Sequence, residues 1–168
     1  FAHYAQPIFR RVMAHDPNLI DGDFPQYVQR VWLEELFEQA DAISIHCLLD
    51  DGTRGLVGER LLGRMKAGAY LVNTARGAVV DVDALAAAVA ADRLAGVGLD
   101  VLPVEPIPAG HPLLADPRVI LSPHAAFYSA ASELELRRKA ALNIVNWART
   151  GRPDYPVVVP VAARQPAG

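Results

Sequence analysis

The sequence is poor in cysteine, in excess charge of either sign and in long apolar runs. Cys47 is the single cysteine among 168 residues, which excludes an intrachain disulfide framework and leaves no cysteine pair for a zinc site. Lysine plus arginine number 16 against 19 for aspartate plus glutamate, so the basic footprint of a direct nucleic-acid binder is missing. Apolar runs are broken by Gly, Asp or Pro before reaching the length of a membrane-spanning helix. No signal-peptide pattern is present, and a cytoplasmic location is the default expectation. Internal repeats, an H-E-x-x-H zinc motif and a G-x-S-x-G nucleophile elbow are also missing. Gly96-Val97-Gly98 lacks a third small residue and runs into a strand pattern, so it is not a dinucleotide loop. His46 and Cys47 are adjacent rather than spaced as ligands, and no metal is expected. At 52% apolar and 21% charged residues the chain is not disordered, and its length suits one domain. It begins at Phe1 rather than Met, as expected of a processed or truncated product.

Strand and helix patterns alternate along the chain. Runs at 10–16, 26–31, 42–46, 69–75, 96–101 and 118–122 read as strands. Residues 31–40 have helical spacing, 59–65 a short helix with Gly68 as its stop, and the alanine-rich stretch 83–91 a helix capped by Asp81. A proline-rich loop fills 102–117, and loops of that length are usually functional or disordered. A long helix starts at Ser129 or Ser132 and stops at Gly151, with Ser132 and Glu135 fitting a capping box. Residues 157–168 read as unstructured. The alternation predicts an α/β fold with a doubly wound parallel sheet, in which ligands bind at the carboxyl ends of strands. Those ends carry Asp16, His46, Thr74-Ala75-Arg76, Asp100 and His124.

Each of these residues has an ordinary reading beside a functional one. Asp16, before Pro17, suits a turn; it also suits acceptance from the ribose hydroxyls of NAD, and would repel the 2′-phosphate of NADP. Arg76 is one of 14 arginines, most of them surface residues, yet a guanidinium at a strand end can bind a carboxylate bidentately, with Gly77 allowing a sharp turn beside it. His124 could be a strand-end histidine satisfied by backbone. Glu105 in the proline-rich loop would instead orient it as an acid/base.

Taken together, LVNTARGAVVDVDAL (71–85), GVGLDV (96–101), the E-P pair at 105–106, HPL (111–113) and PHAAFYS (123–129) resemble the D-isomer-specific 2-hydroxyacid dehydrogenase family in order and spacing. PHAAFYS is most similar to the C-terminal-binding-protein branch, with Phe127 where that branch shows Trp. The resemblance spans about residues 1–150 and implies a partial Rossmann-like dinucleotide-binding domain there, followed by a tail at 151–168. It implies NAD as cofactor and a small 2-oxo or 2-hydroxy acid as substrate. Arg76 would hold the substrate, and His124 would be the proton donor with Glu105 as its partner. Asp16 would hold the adenosine ribose and Asp100 the nicotinamide carboxamide. Thr74, Ala75 and Arg76, with His124, Ala125, Ala126 and Phe127, would line the nicotinamide; His46, Cys47 and Thr53 would flank the cofactor. A homodimer is expected of the full-length form. The family's first strand, its G-x-G-x-x-G loop and its substrate domain would precede Phe1. An open slot is therefore expected between the strands at 10–16 and 42–46, with marginal stability and weakened NAD affinity for the chain alone. Three functions remain open on the sequence: an NAD-dependent dehydrogenase, a non-catalytic NAD-sensing module, and an inactive remnant.

Overall fold

Every apolar run read as a strand forms one. A computed structural model describes residues 1–156; the expectation of an unstructured stretch at 157–168 lies outside the described residues. The strands are β1 (Val12–Ala14), β2 (Val28–Arg30), β3 (Ala42–Ile45), β4 (Ala69–Asn73), β5 (Leu94–Leu99) and β6 (Val119–Leu121). All pairing is parallel. One sheet joins β1 to β2, and a second runs β3-β4-β5-β6, with Ile43 opposite Leu71, Leu71 opposite Val97 and Leu99 opposite Leu121. Among the described residues no ladder joins β1 to β3, so the sheet does not close up by pairing across the expected slot.

Three helices pack beside the larger sheet: α2 (Leu33–Gln39), α3 (Glu59–Leu62) and α4 (Val82–Ala90), after a first turn α1 (Ala2–Ala5). Asp81 caps α4 as expected, its carboxylate accepting from the N–H groups of Asp83 and Ala84. α3 ends sooner than its pattern suggested. Gly63 follows its last turn, and Gly68, at φ 79°, instead turns the chain into β4. The core gathers Phe37, Leu61, Leu62, Leu71, Leu85, Leu94 and Leu113 with the inward residues of β3–β5. Along β4 burial alternates: Ala69, Leu71 and Asn73 are buried, whereas Tyr70 and Val72 point to the opposite face and are exposed.

The chain divides into two compact units, Phe1–Ala126 and another beginning at Phe127. The second holds α5 (Ala130–Thr150), which Gly151 at φ 71° terminates as expected. Its capping box differs from the expected Ser132–Glu135 pair. Ser129 Oγ accepts from Ser132 N–H, and Ser132 Oγ accepts from Ser129 N–H. Glu135 turns to Arg138 and Lys139 instead, and those hydrogen bonds hold its carboxyl at about 2. No described helix is long and apolar enough to cross a membrane.

Candidate active site

The carboxyl ends of β4, β5 and β6 point the same way because the ladders are parallel, so the loops leaving them meet. A cavity of about 260 Å³ forms there, lined by Arg76, Gly77, Val101, Leu102, Glu105 and His124 among others. Three residues read from separate motifs, Arg76, Glu105 and His124, therefore share one cavity.

Glu105 and His124 are in contact. Glu105 Oε2 lies 2.9 Å from His124 Nδ1, while Oε1 accepts from Leu102 N–H at 2.9 Å. The Leu102 hydrogen bond first, then that of His124, pushes the Glu105 carboxyl below its ordinary value. Glu105 is thus an acceptor at neutral pH, and Nδ1 is the nitrogen that carries a proton toward it. Nε2 is left as the nitrogen that can give or take one. Because the Glu105 pKa is lowered, the charged contact with His124 is lost as pH falls through that lowered value rather than the ordinary one. Glu105→Gln removes the carboxylate that holds the His124 ring. We expect kcat for 2-oxo acid reduction to fall in this variant; an unchanged kcat would show that the dyad does not act in turnover.

His124 sits at φ 53°, a left-handed conformation that costs a residue with a side chain on the order of 1–3 kcal/mol. Asp100 holds it there. The His124 N–H donates to the Asp100 carbonyl, and the buried Asp100 carboxylate accepts from Ser122 Oγ, Ala125 N–H and Ala126 N–H. Burial pushes this carboxyl up, but the three hydrogen bonds outweigh it and the net direction is down. Ser122 enters this cluster through a contact made across strands.

Arg76 Nη1 donates to the Ala75 carbonyl at 2.7 Å, and Arg76 makes no ion pair among the described residues. Six other arginines do pair with carboxylates. Gly77 beside it is not in the left-handed region, so the expected sharp turn is not its reason. A Cβ there would stand 2.0 Å from the Leu102 carbonyl carbon and 2.2 Å from its oxygen. Only glycine lets these two backbones touch.

The remaining predicted positions do not line this cavity. Thr74, Ala75, Ala125 and Ala126 lie in the loops after β4 and β6. His46 follows β3, with Nε2 2.8 Å from Ser44 Oγ; partial burial pushes its pKa down. Cys47 is a free, exposed thiol pushed up by partial burial first, with the Asp50 charge adding, which disfavours a nucleophilic thiolate. Thr53 Oγ1 donates to the Leu48 carbonyl and accepts from Asp50 N–H, closing the 48–53 turn. Asp16 follows β1. Its Oδ1 accepts from Asn18 N–H, as a turn former would, while Oδ2 has no hydrogen bond among the described residues. Phe127 opens the second unit. Sequence reading missed Asn73, fully buried at the end of β4. A polar residue at an inward-facing strand position was the available signal.

The donor set fits a dinucleotide in part. Asp16 Oδ2 can accept from a ribose diol. Residues 1–168 contain no G-x-G-x-x-G for the pyrophosphate.

Residues 1–126 match the family described as D-isomer specific 2-hydroxyacid dehydrogenase, NAD binding domain. A glyoxylate reductase from Korarchaeum cryptofilum (strain OPF8) is 41% identical over 141 residues, covering 84% of this chain and 42% of that protein. A crystal structure of a glyoxylate reductase from Paecilomyes thermophila superposes with a TM-score of 0.83 at 32% identity, covering 90% of this chain and 46% of that one. A D-lactate dehydrogenase with NAD+ from Lactobacillus jensenii gives a TM-score of 0.83 at 28% identity, covering 94% and 51%. The chain thus spans about half the length of such relatives, or less. With its parallel sheet, strand-end loops and matched sequence, the chain belongs to the D-isomer specific 2-hydroxyacid dehydrogenases and carries the family's NAD-binding domain.

Proposed function

We propose that the intact protein carrying this chain is an NAD-dependent oxidoreductase that interconverts a 2-oxo acid and its D-2-hydroxy acid. The observation that carries this reading is the meeting of Arg76, Glu105 and His124 around one cavity, with Glu105 and His124 2.9 Å apart. NADH, when bound, supplies the hydride. Asp16 would hold its ribose, and the Thr74–Arg76 and His124–Ala126 loops, with His46, Cys47 and Thr53 opposite, would border its nicotinamide end. Arg76 Nη2 and Nε engage the substrate carboxylate and draw charge toward the carbonyl oxygen. His124 Nε2 gives a proton to the developing alkoxide, while Nδ1–H stays on Glu105, which keeps the ring oriented. In the oxidising direction the same Nε2 takes the proton back. The reading includes a cytoplasmic, homodimeric full-length protein. The corepressor-type, non-catalytic alternative has the PHAAFYS segment in its favour, with Phe127 departing from that branch.

The test is NADH oxidation by the intact protein with glyoxylate, then with longer 2-oxo acids. Turnover with at least one is expected; none with any would overturn the reading. Cofactor choice is a further expectation. Asp16 disfavours a 2′-phosphate, so kcat/KM for NADH should exceed that for NADPH, and Asp16→Ala should narrow the ratio. Equal values in the native protein would remove Asp16 from the role.

A further inference from the structure

Asn73 ends β4 on its buried side and is fully inaccessible. Burying an amide without partners costs about 1–3 kcal/mol by mutational measures, so its bonds are informative. Oδ1 accepts from Ala75 N–H at 3.0 Å, and Nδ2 donates to the Arg76 carbonyl at 3.0 Å. The side chain therefore bridges one donor and one acceptor of the turn that delivers Arg76. Few residues can do both. Aspartate lacks the donor, serine is too short to reach both groups, and glutamine is one methylene too long for a closed site. The Asn73 backbone serves a separate connection: its carbonyl accepts from Asp100 N–H, and the Asp100 carbonyl accepts from His124 N–H. A side-chain substitution at Asn73 thus disturbs the Arg76 turn while leaving the backbone link to His124 in place.

We propose that Asn73 is a positioning residue for the substrate, its buried amide setting the Arg76 backbone so that the guanidinium faces the cavity shared with Glu105 and His124. This rests on the reading of Arg76 as the carboxylate anchor. Thr74, between them, is exposed and Arg76 is extended at φ −145°, ψ 135°, and beside the two Asn73 bonds the turn's one other side-chain bond among the described residues is Arg76's own, Nη1 to the Ala75 carbonyl. A guanidinium displaced by about 1 Å can cost on the order of tenfold to a hundredfold in a positioned reaction.

The experiment compares Asn73→Ser, Arg76→Ala and the double variant in the intact protein, with glyoxylate or the best 2-oxo acid as probe. Asn73→Ser should raise KM for the 2-oxo acid about tenfold and raise KM for NADH by a smaller factor, since the same turn borders only the nicotinamide end of that cofactor. In the Arg76→Ala background it should add nothing further, because it acts through Arg76. Hydrogen exchange should show the Ala75 amide losing protection while the β4 ladder keeps its own. If Asn73→Ser does not fold, Asn73→Asp retains the acceptor and the volume and is read the same way. Arg76→Ala with a native KM would overturn the functional reading and this inference with it. A raised KM in Arg76→Ala beside a native KM in the Asn73 variant would overturn the inference alone. Equal losses toward both substrates, or full additivity in the double variant, would reduce Asn73 to a structural amide and also overturn it.

Discussion

Replacing His124 by alanine is expected to lower kcat/KM for reduction of a 2-oxo acid by about 10²–10⁴-fold, the usual contribution of a positioned general acid. The geometry explains why no neighbour substitutes. Glu105 is an ionised acceptor held by Leu102 N–H, with no proton to give at neutral pH. Cys47 has a raised thiol pKa and does not line the cavity. Arg76→Ala should lose activity on a comparable scale for a different reason, since the substrate carboxylate then has no guanidinium to bind it. Arg76→Lys should recover little, because one ammonium cannot reproduce the planar fork and Nη1 already serves the Ala75 carbonyl. The two variants separate by kinetics: His124→Ala should act mainly on kcat, and Arg76→Ala on KM as well. Near-normal turnover in Arg76→Ala would sink the assignment of the anchor.

The second large effect is expected at Gly77. A methyl group there collides with the Leu102 backbone at 2.0–2.5 Å, and neither partner is the end of a flexible side chain. Gly77→Ala must push the Arg76 turn away from the loop carrying Glu105. Overpacking of this kind costs about 3 kcal/mol or more when backbone must move, read as a lowered urea midpoint. Gly98→Ala is the control. A Cβ at that position meets only Val72 methyls at 3.6 Å and 3.8 Å, an ordinary contact. It should be neutral or stabilising by about 0.4–1 kcal/mol, through the unfolded chain. Equal midpoints for the two variants would mean that the Gly77–Leu102 approach does not constrain the fold.

Much of this site was legible in one dimension. Parallel strands buried on one face leave apolar runs with turn residues at their ends, so six runs located six strands, and strand ends located Arg76 and His124. Asp81 declared its helix because capping is a local bond between an aspartate and N–H groups two and three residues on. Ser129 and Ser132 are both open as the start of α5 on the sequence, with the S-x-x-E spacing pointing to Ser132; the course of the chain at Ser129 selects that residue instead. The 96–101 strand likewise began at Leu94, since register against β4, with its irregularity at Ala69/Tyr70, decides where pairing starts.

Local sequence by itself determined the α/β alternation, the strand and helix positions within a few residues, and the residue types able to bind a carboxylate or move a proton. Those are properties of periodicity and side-chain chemistry, which act over a handful of neighbours. Tertiary structure alone decided what joins the pieces. Asp100 gathers Ser122, Ala125 and Ala126 from beyond the next strand, and Gly77 touches Leu102. Glu105 and His124, 19 residues apart, come within 2.9 Å. The physical reason is that a hydrogen bond or close contact between distant segments depends on sheet register and loop path, and a buried polar group shows its purpose only when its partners stand around it.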